Sequence, residues 1–237
     1  MLQLLLIRHA ESVGNAEGRM VGQRHDPLTA LGRWQARRLG DRLNHLSPVC
    51  IYASPLQRAA ETAVILRQVL QAAQATAPPI LYRPDLQEFQ NGVFAGLTWA
   101  EASERHPQLC RRLMASSDWV PIPGAETLQC GRDRARRIAE QLLSHRNGDQ
   151  VWVLSHHWIL QQVVSTLLGS DRTWGFPLAH TGLIELRLDR DRWSASEQAL
   201  NSSLWQIHRF NDAGHLEAAS PQIEPAAGGE ESGSDQS

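Results

Sequence analysis

The sequence predicts an α/β protein, a three-layer α/β/α sandwich around a mostly parallel central sheet. Three observations carry this. Short apolar runs of strand length recur without alternation, the pattern of strands buried on both faces. Segments of helical periodicity lie between them. Helix-start and helix-stop residues stand where one pattern gives way to the other.

The first strand is Leu2 to Ile7. A helix follows over about 30 to 46, with Leu31, Trp34, Leu39, Leu43 and Leu46 on one stripe and Thr29 as its N-cap. Val49 to Ala53 is the second strand. Ser54-Pro55-Leu56-Gln57 then supplies an N-cap serine, a first-turn proline and a capping-box glutamine for the next helix. Residues from about 98 to 125 break the alternation and predict a helical insert: Trp99 to His106, Pro107, then Leu109 to Met114. A helix over about 126 to 145 carries Ile138, Leu142 and Leu143 on its apolar side. Val151 to Leu154 is a third strand. The helix after it runs through Ile159, Leu160, Val163, Val164 and Leu167 to a stop at Gly169. Leu183 to Leu188 alternates and predicts a half-exposed strand, with Trp193 to Glu197 as an edge partner. From Glu217 to Ser237 the chain has five acids, no base and one isoleucine. A disordered acidic tail is expected over 217–237, leaving one domain over 1–216.

The length of 237 residues, with 42% hydrophobic and 20% charged residues, suits such a domain. All 23 basic residues are arginine. Without lysine there is no Schiff-base or pyridoxal-phosphate chemistry and no lysine-bearing phosphate loop. An anion site here must use arginine, histidine and backbone amides. The net charge is −2, or +3 without the five acids of the tail, which does not suit a general nucleic-acid binder. Cys50, Cys110 and Cys130 are odd in number and far apart, so neither a disulfide framework nor a cysteine metal site is expected. The apolar N-terminus ends at Arg8, too short for a signal-peptide core or a membrane span. A cytoplasmic protein with no membrane partner is expected. Oligomeric state has no signature in the sequence.

Open α/β sheets bind ligands at the carboxyl ends of their strands. Arg8-His9-Ala10-Glu11-Ser12 follows the first strand, Arg58 lies on the first turn of the helix after the second, and Ser155-His156-His157 follows the third. If these strands are neighbours, two arginines and a set of histidines converge on one edge, with a helix N-terminus beside them. The set suits a multiply charged anion, most simply a phosphate. Taken singly, each element has a plainer reading. Arg-His pairs commonly sit in surface loops, and His156-His157 reads equally as satisfied polar residues or a metal half-site. Arg132-Asp133-Arg134-Ala135-Arg136-Arg137 is expected on a solvated helix face. The tryptophans are expected in the core or a pocket wall.

These residues resemble a known family. Arg8-His9-Ala10-Glu11-Ser12 with Asn15 is similar to the Arg-His-Gly signature of the histidine phosphatase superfamily, also called the phosphoglycerate mutase-like superfamily. The likeness continues through Arg19, Met20, Gly22, Pro27-Leu28-Thr29, Gly32 and Gln35-Ala36, then Ser54-Pro55-Leu56-Gln57-Arg58-Ala59 with Glu61-Thr62. It appears again at Glu88, Gly92 and Gly96-Leu97-Thr98, at Pro123-Gly124 with Glu126-Thr127, and at Ser155-His156. The motifs keep the family's order over residues 4 to about 160. Three positions depart from it: Ala10 replaces the usual glycine, Val21-Gly22 the frequent Gln-Gly, and His157 the glycine after the second histidine.

The resemblance implies a phosphomonoester hydrolase of the histidine acid or broad-specificity type. It would need no metal and no cofactor, and would act on a small phosphorylated metabolite. By resemblance His9 is the nucleophile and forms a phosphohistidine. Neutral imidazole, with an unperturbed pKa of about 6.5, suits that role. Arg8 and Arg58 would hold two phosphate oxygens and His156 a third, with Asn15 and Gly22 completing the substrate site. Glu88 would be the general acid and then the base. The helical insert would lie over the active site, with Arg105, His106, Arg111 and Arg112 toward the far end of the substrate. Two other functions stay open: a cofactor-dependent phosphoglycerate mutase, and a non-catalytic member that binds a phospho-ligand or a partner protein. The mutase branch holds its substrate with a tyrosine, a lysine and an arginine pair. Here those positions are Asn91, Trp99 and Ala115-Ser116, with Arg111-Arg112 just ahead.

Overall fold

A computed structural model of the chain describes residues 1–74, 77–192 and 200–217. Six strands form one mixed sheet: β1 (Leu2–Arg8), β2 (Cys50–Ala53), β3 (Ile80–Tyr82), β4 (Gln150–Ser155), β5 (Leu183–Leu188) and β6 (Trp205–Asp212). Their order across the sheet is β3-β2-β4-β1-β5-β6. The first four strands in that order run parallel, β5 is antiparallel to β1, and β6 is antiparallel to β5. Among the described residues there are seven α-helices. They are α1 (Val13–Ala16), α2 (Ala30–Leu43), α3 (Gln57–Ala73), α4 (Trp99–Arg105), α5 (Pro107–Ala115), α6 (Leu128–Leu142) and α7 (His157–Leu167). None of the described helices is long and apolar enough to cross a membrane.

Strand periodicity explains the three layers. Successive side chains of a strand point to opposite faces. Leu2, Leu4 and Leu6 of β1 pack with Ile138 and Leu142 of α6 and Ile159 and Val163 of α7. Leu5 and Ile7 pack on the other face with Leu39 and Leu43 of α2 and Leu66 and Leu70 of α3. With helices on both faces, β1, β2 and β4 show no alternation in their sequence. The insert over 98–125 forms α4 and α5, which build a separate small core around Phe94, Leu97, Ala102 and Cys110.

Several expectations need correction. On α2 the buried face is Gly32, Gln35, Ala36, Leu39, Gly40 and Leu43, while Leu31 and Trp34 are half-buried, and the helix ends at Leu43, short of the half-buried Leu46. Small residues win this face because neighbouring backbone comes close. A Cβ on Gly40 would sit 2.9 Å from Val69 Cβ of α3, and one on Gly32 would sit 2.0 Å from the Glu11 carbonyl oxygen. Gly32→Ala is therefore expected to cost about 1–3 kcal/mol by overpacking. That lowers Tm by roughly 2–12 °C in a domain of this size. A calorimetric Tm within a degree of the parent would show that the Glu11 turn yields freely.

The capping box at Ser54 does not form. α3 begins at Gln57 after Leu56, which offers no side-chain cap. The Ser54 hydroxyl accepts from Leu56 N at 3.3 Å and is otherwise engaged with a histidine described below. β5 is almost wholly buried rather than half-exposed, because it lies between β1 and β6. Its Glu185 is buried with Arg187 at 2.7 Å and Arg209 at 3.1 Å, which gave the strand its alternating look. The described edge partner of β5 is β6. The proposed edge segment 193–197 lies outside the described residues, as does the tail from 218 onward. Thr29 does cap α2, accepting from Gly32 N at 2.9 Å, and Gly169 takes the left-handed conformation past α7, with φ +62°.

Candidate active site

Parallel pairing of β4 with both β1 and β2 brings three strand ends together. Arg8 lies opposite Ser155, and Ala53 opposite Leu154. The residues that follow, His9, Ser54 and His156, therefore share one edge of the sheet.

His9 is almost completely buried. Its Nδ1 lies 2.7 Å from the Ala10 carbonyl oxygen, and its Nε2 accepts from Arg58 Nε at 3.1 Å. That pair of bonds assigns the proton to Nδ1 and leaves the lone pair on Nε2. The His156 ring lies 4.9 Å away, centroid to centroid, and that of His180 5.9 Å. His156 Nε2 is bonded to Ser54 Oγ at 2.8 Å. With Leu56 N donating to that oxygen, the hydroxyl proton is free to point at Nε2, which puts the imidazole proton on Nδ1. Arg8 NH1 donates to the Leu178 carbonyl at 2.6 Å. Six buried side-chain nitrogen or oxygen atoms lack a partner among the described residues, and three of them belong to this cluster: Arg8 Nε, His156 Nδ1 and His180 Nε2.

Electrostatics sharpens the picture. Burial, and then the charges of His156, Arg58 and Arg8, hold the His9 pKa well below 6.5. Burial followed by Arg58 and Arg8 does the same to His156. His180 is pushed down to about 3 by burial and Arg8. Burial lowers Arg58 to about 10, so it stays charged at neutral pH. Neutral imidazoles of His156 and His180 thus lie 4.9 and 5.9 Å from the His9 ring, beside the buried Arg58 and the half-buried Arg8, a cluster whose positive charge a dianion balances.

Glu88 sits on the N-terminus of α7. Its Oε1 accepts from Phe89 N at 2.9 Å and Ile159 N at 3.2 Å, and its Oε2 from Trp158 N at 3.2 Å. The segment carrying Glu88 is tied down from three sides. Gln23 Nε2 donates to the Glu88 carbonyl at 2.9 Å, and Ser155 Oγ donates to that of Leu86 at 2.6 Å. Arg134 donates to the carbonyls of Asp85 and Gln87 at 2.8 and 2.7 Å while paired with Glu126 at 2.7 Å. Arg134 is thus largely buried and structural, against the solvated reading of its segment. α6 turns it inward, while Arg136 and Arg137 remain exposed.

The remaining sequence candidates are placed as follows. Asn15, Gly22, Arg8, His9, Arg58 and Glu88 all line one cavity of about 380 Å³. Asn15 Oδ1 accepts from Ser12 N and Oγ, at 3.3 and 2.8 Å. Gly22, at φ +55°, presents its carbonyl to Arg58 NH2 at 2.7 Å, so it positions the arginine. His157 Nε2 bonds the Phe176 carbonyl at 2.8 Å, with Gln161 Nε2 at 3.2 Å from the same nitrogen. It ties the loop before β5 to α7 and lines the same cavity. Among the described residues no group of three or more His, Cys, Asp or Glu is placed to hold a metal ion. Arg105, Arg111 and Arg112 are exposed and absent from the described cavity wall, and His106 packs against Phe94 at 5.8 Å. The insert instead contributes Trp99, Leu113 and Ile122.

Sequence reasoning missed Ser54 and His180 as site residues. Ser54 was visible at a strand end but was assigned to a helix cap. His180 lies in an irregular loop with no periodicity to place it, beside Thr181, which holds φ +56°.

Comparison with known proteins adds to this geometry. Residues 4–201 match the model of the histidine phosphatase superfamily, branch 1. The chain is 29% identical over 216 residues to the "Metal-independent phosphoserine phosphatase" of Arabidopsis thaliana, covering 90% of this chain and 83% of that protein. It is 31% identical over 221 residues to the "Probable phosphoglycerate mutase GpmB" of Salmonella choleraesuis, covering 92% and 96%. Among solved structures, the alpha-ribazole phosphatase of Shigella flexneri superposes with a TM-score of 0.72 at 24% identity, over 89% of this chain and 96% of that one. Bacillus stearothermophilus YhfR gives a TM-score of 0.71 at 25% identity, over 92% and 100%. With that match over most of its length, the chain belongs to branch 1 of the histidine phosphatase superfamily.

Proposed function

We propose that the chain is a metal-independent phosphomonoester hydrolase that acts on a small phosphorylated metabolite through a phosphohistidine at His9. The observation that carries this is the set of buried, unpaired nitrogens around His9: Arg8 Nε, His156 Nδ1 and His180 Nε2. Leaving one such group unsatisfied costs about 1–3 kcal/mol. Three around one imidazole, with two guanidinium groups, match the oxygens of a phosphoryl group.

On binding, phosphate oxygens take over Arg58 from His9 Nε2 and free that lone pair. Nε2 attacks phosphorus in line, forming the P–N bond as the P–O bond to the alcohol breaks. Glu88 gives its proton to the departing oxygen. The Glu88 carboxylate then takes a proton from water, the water oxygen attacks phosphorus, and the P–N bond breaks to return His9. Arg8 and Arg58 carry the equatorial charge that a metal would otherwise neutralise. His156 donates through Nδ1 in the tautomer that Ser54 selects, and His180 Nε2 adds a further contact.

The mutase name of one relative keeps a second reading in view. A mutase must anchor the carboxylate of its substrate, and the positions that would do so by resemblance are Asn91 and Trp99. Turnover of p-nitrophenyl phosphate is expected to survive excess chelator. Incubation with 3-phosphoglycerate and a trace of 2,3-bisphosphoglycerate is expected to give no 2-phosphoglycerate above background. Chelator sensitivity, or isomerisation without phosphate release, overturns the proposal. Phosphate binding without turnover of any ester would favour a non-catalytic member.

A further inference from the structure

The cavity above His9 has two unlike ends. Arg8, His9, Arg58 and Glu88 form its ionic floor. Its walls are mainly apolar, with Met20, Phe94, Trp99, Leu113, Ile122 and Trp158, and carry the uncharged or weakly basic Asn15, Asn91 and His157 between them. Met20, Leu113 and Ile122 pack on the small core of the insert, and Phe94 meets Trp99 edge-on at 6.3 Å. Trp99 and Trp158 remain 45% and 49% exposed, large aromatic surface left open at the mouth.

The wall begins at the reacting bond. Trp158 N donates to Glu88 Oε2, and both residues line the cavity, so the apolar wall adjoins the proposed acid. The one lining arginine beyond the floor, among the described residues, is Arg19. It is already engaged, with Glu17 at 2.6 Å, Glu101 at 2.9 Å and the Gly96 carbonyl at 3.0 Å. A carboxylate on the alcohol part of the ester would lose water there and gain no free cation from the described wall. For an ammonium, the one carboxylate of the described wall is Glu88, the acid that the reaction needs.

We infer that this chamber receives the alcohol part of the substrate, and that this part is uncharged, apolar and ring-bearing. The inference rests on the hydrolase reading above for where the leaving group lies. A volume of about 380 Å³ is within the range of small-molecule pockets. Burying on the order of 100 Å² of apolar surface there corresponds to roughly 10–100-fold in kcat/KM.

The test uses the full chain and esters whose leaving alcohols have similar acidity: 3-phenylpropyl phosphate, propyl phosphate, glycerol 3-phosphate and O-phosphoserine. The phenyl ester is expected to exceed each of the others at least tenfold in kcat/KM. Trp99→Ala and, separately, Leu113→Asn are expected to cut the phenylpropyl-to-propyl ratio at least threefold. A wild-type ratio near one, a better rate for O-phosphoserine, or a ratio that neither variant changes overturns the inference while leaving the hydrolase intact. If no ester is turned over, calorimetry with 3-phenylpropylphosphonate and propylphosphonate reads the chamber alone. Tighter binding of the phenyl compound then upholds the chamber although the hydrolase reading falls, and equal binding overturns both.

Discussion

His9→Ala is expected to lower phosphate release by about 10⁴-fold or more, because it removes the atom that accepts the phosphoryl group in the proposed mechanism. The rest of the pocket survives the change. Arg58 keeps its bonds to the carbonyls of Gly22 and Arg24, and His156 keeps Ser54. The variant should therefore still bind inorganic phosphate, which separates loss of chemistry from loss of fold. In the parent enzyme, quenching without acid followed by mass spectrometry should place the phosphate on His9. Phosphate on His156, or an active His9→Ala variant, removes the proposed mechanism. A pH dependence follows from the same environment. Burial and neighbouring positive charge hold the His9 pKa well below 6.5, so a proton binds Nε2 only at markedly acid pH. After correction for the second ionisation of the substrate near pH 6, kcat/KM should show no acid limb between pH 7 and 5. A limb at about 6.5 would mean that His9 titrates like a solvated histidine.

The parts legible in the sequence share a physical reason. β1, β2 and β4 are covered on both faces, so their apolar runs stand out. The residues just past their ends are forced to one edge, which is why Arg8, His9, Arg58 and His156 read as one cluster. β3 is three residues long, and β6, Trp205–Asp212, lies at the sheet edge with Ile207 and Phe210 exposed and no residue fully buried, so neither has a burial pattern to read. The buried face of α2 escaped because it is built from Gly32, Ala36 and Gly40, whose value is close approach rather than hydrophobicity. Arg134 and His180 escaped for a different reason. Their partners lie far away in sequence, at Asp85, Gln87 and Glu126 for Arg134 and at His9 for His180, and no local spacing encodes such contacts. His157, the marked departure from the family pattern, bonds the Phe176 carbonyl and so buttresses the loop that carries His180.

Glu88→Gln is expected to slow turnover of alkyl phosphates by about 10²–10⁴-fold, the usual contribution of a general acid. The substitution keeps the size of the side chain but changes what it can offer. Both carboxylate oxygens accept backbone N–H bonds in the parent, from Phe89 and Ile159 on Oε1 and from Trp158 on Oε2. An amide oxygen can satisfy only one of these sides, and the amide has no acidic proton for the departing alkoxide. p-Nitrophenolate leaves without protonation, so its ester should lose far less in the first step. The second step still needs a base to take a proton from water, and the variant lacks one. With p-nitrophenyl phosphate the variant should therefore release one equivalent of nitrophenol per site in a burst and then turn over slowly, with the phosphohistidine accumulating. With an alkyl phosphate no burst is expected, since the first step is then the slow one. If alkyl and nitrophenyl esters lose activity equally and neither shows a burst, Glu88 is not the group that moves the proton, and its bonds to Trp158 N and Ile159 N serve only to fix the end of α7.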